Sequence, residues 1–302
     1  MVDKACLVFN PVAGQGDPDQ DLAQIRKILE IDIELDIRLT TEVRDADQLT
    51  KEALGRGADV IIASGGDGTL SSAATALVGT NVPLGVIPRG TANAFAAALG
   101  IPTEIEAACR TILARNIKSV DTAICNGKPM VLMAGIGLEA GMVENTSREA
   151  KNRWGALAYI MSGIQQLREM EKFEATIETD RETFSVKAAA VTVANAAPPT
   201  SILAQGPAEI IYDDGLLDIT ILAPDNQTEV IAASYHLLDT ALRKEATERE
   251  DIVQLRSRHF KLTTNPPHKF TLDGDIVGTT PIEIKCIPGG LTVFVPVGKD
   301  QS

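Results

Sequence analysis

Long apolar runs, aromatic rings, clustered cysteines and basic residues are what this 302-residue chain has least of. No stretch approaches the ~18 consecutive apolar residues that span a bilayer. Asp3 and Lys4 interrupt the start too early for a signal peptide. The four cysteines (Cys6, Cys109, Cys125 and Cys286) lie far apart, with no CxxC and no Cys/His cluster. They read as reduced, buried thiols of a soluble cytoplasmic protein. His236, His259 and His268 share no ligand spacing and read as structural. With 28 Lys plus Arg against 41 Asp plus Glu, the net charge is −13. That excludes nucleic-acid binding through bulk positive charge and predicts no nucleic-acid partner. The 44% of apolar residues, beside 23% charged, exclude a disordered acidic chain. At ~100–200 residues per domain, the length predicts two domains.

The first ~120 residues alternate short apolar runs with helical patterns. Cys6–Phe9 reads as a buried strand ending on Asn10-Pro11. Leu22, Ile25, Ile28 and Leu29 share a helix face, and Ile33, Leu35, Ile37 and Leu39 alternate with polar residues as a half-exposed strand. A helix over about Asp45–Arg56, a strand at Val60–Ala63, a helix after Gly68 and a strand at Leu84–Ile87 follow. Helices near Ala92–Leu99 and Glu104–Arg115 complete the series. Such alternation predicts a parallel sheet covered on both faces, with ligands at the carboxyl ends of its strands.

After Val120-Asp121 the pattern changes to strands joined by Gly, Pro and Asp turns: Ala175–Glu178, Ala188–Val193, Leu216–Leu222, Lys269–Leu272 and Leu291–Val295. Helices are expected only around Trp154–Leu167 and near residues 229–246. The fold class is therefore α/β in two domains. A Rossmann-like α/β domain covers 1–122, and a mainly antiparallel β-sandwich covers 123–290.

Ser64-Gly65-Gly66-Asp67-Gly68-Thr69 follows a strand and opens a helix. Consecutive glycines let backbone N–H groups approach an anion, and the helix start adds unpaired donors. Asp67 could hold a Mg²⁺ bridging phosphates, and Thr69 could hydrogen-bond them. The alternative is a tight strand–helix turn. Pro88-Arg89-Gly90-Thr91-Ala92-Asn93 forms a second such turn, and Asn10-Pro11-Val12-Ala13-Gly14 a third. Three turns at one sheet edge favour a nucleotide cleft over plain packing. No GxxxxGK[ST] occurs, so this is not the usual P-loop.

With these motifs the chain resembles the diacylglycerol kinase catalytic-domain superfamily, most closely the bacterial soluble lipid kinases. The resemblance also rests on Ala134-Gly135-Ile136-Gly137, Asp213-Asp214-Gly215-Leu216-Leu217-Asp218 and Asp273-Gly274-Asp275. It implies an ATP-dependent kinase that phosphorylates diacylglycerol or a related lipid alcohol, a role in phospholipid metabolism. It also implies a final strand, about 291–302, that returns to the first domain. Carried over by position, ATP binding falls on Thr40, on Gly66, Asp67, Gly68, Thr69, Leu70, Ser71 and Ser72, and on Thr91, beside Asn10 of the third turn. A structural Mg²⁺ falls on the Asp214 carboxylate with the carbonyls of Ile211 and Leu216. By local sequence alone that segment is a turn. The general base falls on Asp275, with Asp67 as the other catalytic residue. Without the resemblance, Asp273-Gly274-Asp275 is an ordinary hairpin with solvated acids.

Three positions depart from the family pattern: Ala94 replaces an acidic residue, Ser71-Ser72 replaces an Asn-Glu pair, and Asp275 is one methylene shorter than the usual Glu. They keep open a weakened nucleotide- or lipid-binding regulator, while the Gly-Gly-Asp-Gly-Thr motif keeps open an NAD kinase. Arg148, Lys151 and Arg153 beside Trp154 and Tyr159 could seat transiently on the inner membrane surface. A helix packed on the second domain is the plainer alternative. A homo-oligomer is compatible with the sequence.

Overall fold

The computed structural model describes residues 3–137, 172–197, 210–225 and 249–297, with the single positions 229, 232, 233, 236 and 240. The helix expected around Trp154–Leu167 and its basic lead lie outside the described residues, as does most of 229–246. The chain divides into two units, Met1–Val120 with Gly289–Ser302, and Asp121–Pro288. Among the described residues no helix is long and apolar enough to cross a membrane.

The first unit is built on β1 (Asp3–Phe9), β2 (Ile33–Leu39), β3 (Val60–Gly65) and β4 (Leu84–Pro88). They pair in parallel in the order β2-β1-β3-β4, and the end of β16 (Ile282–Phe294) joins β4 through Val293 opposite Leu84. Leu7 and Phe9 pack with Ile25 and Leu29 of α1 (Pro18–Leu29) and Ala108, Cys109 and Ile112 of α5 (Ile105–Leu113). The intervening Cys6 and Val8 are equally buried. Both faces of β1 are thus covered, and the strand reads as an unbroken apolar run. Each large side chain so buried contributes ~1.5–3 kcal/mol.

Local chemistry sets the helix starts. Asp17 caps α1 by accepting the Asp19 N–H at 2.9 Å, with Pro18 at the first helical position. Asp45 caps α2 (Ala46–Gly55) through the Gln48 N–H at 2.9 Å. α3 (Asp67–Leu77) begins earlier than the sequence suggested. Gly66 is its extended N-cap, so Gly68 lies inside the first turn. α4 (Ala94–Ala98) is a single short turn.

Two antiparallel sheets form the second unit. One contains β7 (Met133–Gly137), β10 (Ala190–Ala194), β11 (Leu217–Leu222), β12 (Ile252–Ser257), β14 (Lys269–Leu272) and β15 (Asp275–Thr279), in the order β12-β11-β10-β7-β14-β15. The other pairs β16, β13 (His259–Asn265), β8 (Phe173–Thr179) and β9 (Thr183–Ala188) in that order. β5 (Ile117–Cys125) and β6 (Lys128–Met130) make a hairpin. Ile136, Val191, Val193, Ile219, Ile221 and Phe270 from the first sheet meet Phe173, Ile177, Phe260, Leu262 and Ile284 from the second in one core, a β-sandwich.

Candidate active site

In the first unit, three turns converge at the carboxyl ends of β1, β3 and β4. Asn10 follows β1. Its backbone N–H donates to the Ser64 carbonyl at 2.9 Å, and its Nδ2 donates to the Thr69 Oγ1 at 2.9 Å. Thr69 in turn presses on Gly65, where a Cβ would fall 2.7 Å from the Thr69 Cβ. A Cβ on Gly90 would fall 2.7 Å from the Gly66 Cα. The two glycine turns therefore meet backbone to backbone, and side chains are excluded there by contact rather than by φ.

Arg89 ties the turns together. Its Nε and Nη2 reach the Asp21 Oδ2 at 2.9 and 2.8 Å, and its Nη1 donates to the Asn10 carbonyl at 2.9 Å. The guanidinium carbon lies 4.3 Å from the Phe9 ring centroid, and the Arg89 backbone N–H donates to the Gly65 carbonyl at 2.7 Å. Only 2% of the side chain is exposed. The sequence shows no partner for Arg89: its only signals are an Asp in the first turn of α1 and an Arg inside a glycine turn.

Asn93, at φ 50°, closes its own loop. Its Oδ1 accepts the Gly90 N–H at 2.8 Å, and its Nδ2 donates to the Gly90 carbonyl at 2.9 Å. The next residues turn toward Asp67, whose Oδ1 accepts the Phe95 N–H at 3.3 Å. Burial pushes the Asp67 carboxyl above the usual range, against the opposing pull of nearby backbone N–H groups. The structure thus gives Asp67 a clear local task, holding the start of α4.

The remaining expected nucleotide positions divide. Nothing lies within 4 Å of where a Gly68 Cβ would stand, and Thr91 is exposed. The Thr40 N–H donates to the Phe9 carbonyl at 2.9 Å, beside the same edge. Leu70 and Ser71 are buried. The Ser72 hydroxyl accepts the Asp47 N–H at 3.0 Å, at the start of α2.

In the second unit, the Asp214 turn is held by acids and one guanidinium. Asp121 donates its N–H to the Tyr212 carbonyl at 2.7 Å, and its Oδ2 accepts the Gly215 N–H at 2.6 Å. The Asp214 Oδ1 accepts the Leu216 N–H at 3.0 Å, and its Oδ2 pairs with Arg256. Arg256 Nε also lies 2.8 Å from the Asp218 Oδ1. Asp218 is 2% exposed, and burial pushes its carboxyl up to about 6 against the pull of Arg256. The oxygens expected from Ile211, Asp214 and Leu216 have the chemistry a hard cation takes. Both Asp214 oxygens are engaged, and the positive charge there is the Arg256 guanidinium. Among the described residues no three His, Cys, Asp or Glu side chains gather as metal ligands.

The turn between β14 and β15 departs from a solvated hairpin at one residue. Asp275 is exposed. The Asp273 carboxylate instead accepts the backbone N–H groups of Val131, Leu132 and Met133 at 2.8, 2.8 and 3.0 Å. Burial pushes it up to about 6, although those three donors favour its charged form. Two of the histidines have structural contacts: His259 Nε2 lies 2.9 Å from the Glu283 Oε1, and the His268 ring lies 4.3 Å from that of Phe173.

Two protein families match this chain: the diacylglycerol kinase catalytic domain over residues 4–125, and the YegS C-terminal NAD kinase beta sandwich-like domain over 132–295. It is 30% identical to a diacylglycerol kinase of Bacillus subtilis over 304 residues, which covers 99% of this chain and 98% of that one. It is also 30% identical to a protein of Stenotrophomonas maltophilia described as "probable lipid kinase YegS-like", covering 88% of each. The crystal structure of a diacylglycerol kinase from Bacillus anthracis matches 97% of both chains with a TM-score of 0.76 and 26% identity. The glycine turns at the sheet edge, the following β-sandwich and these likenesses over nearly the whole length agree, and the chain belongs to the diacylglycerol kinase catalytic-domain family.

Proposed function

We propose that this protein is a lipid kinase that transfers the γ-phosphate of ATP to the hydroxyl of diacylglycerol or a related lipid alcohol. The observation that carries the reading is the convergence of the Asn10, Gly65-Gly66 and Gly90 turns at the carboxyl edge of a parallel sheet. There the first turn of α3 opens directly after β3, a helix start of the kind that takes an anion. Asn10, Thr40, Gly66, Gly68, Thr69 and Thr91 would bind the nucleotide. Leu70, Ser71 and Ser72 would contribute through the helix that carries them. Asp67 would hold the divalent cation that arrives with ATP, which neutralises charge on the β- and γ-phosphates.

The acceptor hydroxyl attacks the γ-phosphorus, the bond to the ADP oxygen breaks, and the hydroxyl proton passes to the Asp275 carboxylate. Asp275 is exposed on its turn and so open to an incoming hydroxyl. The β-sandwich would supply the lipid site, with contact at a membrane surface during turnover.

The test is transfer of label from γ-labelled ATP to a panel of lipid alcohols in mixed micelles, with NAD in parallel. Labelled lipid is the expected product. Label in NAD would favour the second reading, an NAD kinase, for which the sandwich family's own description speaks.

A further inference from the structure

We infer that Asp273 is a positioning residue: its carboxylate anchors the turn that carries Asp275 to the backbone of residues 131–133 and so fixes where the proton acceptor stands. The inference rests on Asp275 being that acceptor.

β14 and β15 are joined by Asp273 and Gly274 alone, with φ of 49° and 94°. Both values lie in the left-handed region, as a two-residue type I′ hairpin requires, and Asp-Gly suits it. Strand pairing would hold such a tip only from behind, through Leu272 opposite Asp275. Here it is also held from the side. The Asp273 N–H donates to the Met133 carbonyl at 2.9 Å, extending the ladder in which Leu272 faces Ala134. Beyond that, Oδ2 takes the Val131 N–H, and Oδ1 takes those of Leu132 and Met133.

Val131 and Leu132 are 1% and 5% exposed, so little water competes for these donors, and without Asp273 they would be left unpaired. A carboxylate suits this place because both its oxygens accept, whereas an amide offers only one. The exposed Asp275 side chain has no such ties of its own among the described hydrogen bonds. Its location is that of the turn. Proton transfer needs the acceptor within about 2.6–3.2 Å of the hydroxyl, and a ~1 Å displacement can lower the rate ~100-fold.

The experiment compares Asp273→Asn, Asp275→Asn, the double variant and Ile219→Val. The last loosens the same sandwich core three strands from β14. Turnover is read from label transfer at saturating lipid, ATP affinity by equilibrium titration and folding by thermal melting. Asp273→Asn should lower kcat by about 10–100-fold with ATP affinity unchanged, and should lower it no further when added to Asp275→Asn. Ile219→Val should lower the melting temperature yet leave kcat unchanged.

Wild-type kcat in Asp273→Asn while Asp275→Asn is impaired overturns the inference alone, as does an additive double variant. Wild-type turnover in Asp275→Asn, or a wild-type protein that labels no lipid alcohol, overturns the inference together with the reading beneath it. If Asp273→Asn does not fold, Gly274→Ala strains the same turn and keeps the carboxylate; an unaltered kcat there also overturns the inference.

Discussion

The Arg89 guanidinium and the Asp21 carboxylate, 68 residues apart in sequence, form an ion pair at 2.8 Å in which the Arg89 side chain is 2% exposed. Because Arg89 also reaches the Asn10 carbonyl and the Phe9 ring, this pair fastens α1 and the first turn to the glycine turn after β4. Removing one partner of a buried pair is far more costly than replacing both. Asp21→Asn should therefore destabilise the protein by about 3 kcal/mol. Combined with Arg89→Leu, it should cost less than the sum of the singles by at least ~1 kcal/mol. Urea unfolding of the four proteins measures this, and strict additivity would show that the pair does not act as a unit.

Asp67 separates a structural from a catalytic demand. Asn keeps an oxygen for the Phe95 N–H, so Asp67→Asn should melt close to the wild type. It removes the charge that would hold the cation and phosphates, so label transfer should fall by at least ~100-fold. Equal turnover in the two proteins would leave Asp67 with only its place at the start of α4.

The pH dependence of stability follows from the buried carboxyls. Asp273 and Asp218 are each pushed up to about 6 by burial, from an ordinary value of 3.8. Between these values the folded protein holds more protons than the unfolded chain, so these groups make stability fall as pH rises, and the loss is complete above about pH 6. Asp275 and Cys125 are the titratable groups that interact with Asp273. Asp273→Asn removes one of the two titrations. Its stability deficit relative to the wild type should shrink from pH 4 to pH 7 in denaturant titrations, and a deficit that grows would reverse the sign argued for this carboxyl.

Arg256 offers a contrast between organic and metal cations. In Arg256→Leu, the buried Asp218 loses its compensating charge and Asp214 loses its partner, so a loss of about 3 kcal/mol is expected. A chelator that lowers the melting temperature of the wild type but hardly that of Asp214→Ala would show a metal ion at this turn, and an equal response in both would leave Arg256 as its cation.

The sequence made the parallel half legible because its signals are local. Ile33, Leu35, Ile37 and Leu39 alternate as a strand should, and Asp17-Pro18 and Asp45 announce their helices. β13 carried the same period-two signal, with Phe260, Leu262 and Thr264 buried between exposed Lys261 and Thr263, yet the charged residues before it masked the pattern. The sequence places the start of α3 after Gly68, because glycine disfavours helix interiors, whereas Gly66 provides the extended cap and Gly68 is tolerated inside. Local sequence cannot reveal partners that only tertiary structure supplies. Asp273 looks like a turn acid until residues 131–133 are brought to it, and Arg89 looks like loop filling until α1 presents Asp21.

The central claim, phosphoryl transfer from ATP to a lipid hydroxyl, is tested most directly by paired reactions on diacylglycerol micelles with γ-labelled and α-labelled ATP. The account predicts that γ-label enters the lipid in step with ADP formation and that α-label stays in the nucleotide. ADP formed without labelled lipid would contradict it.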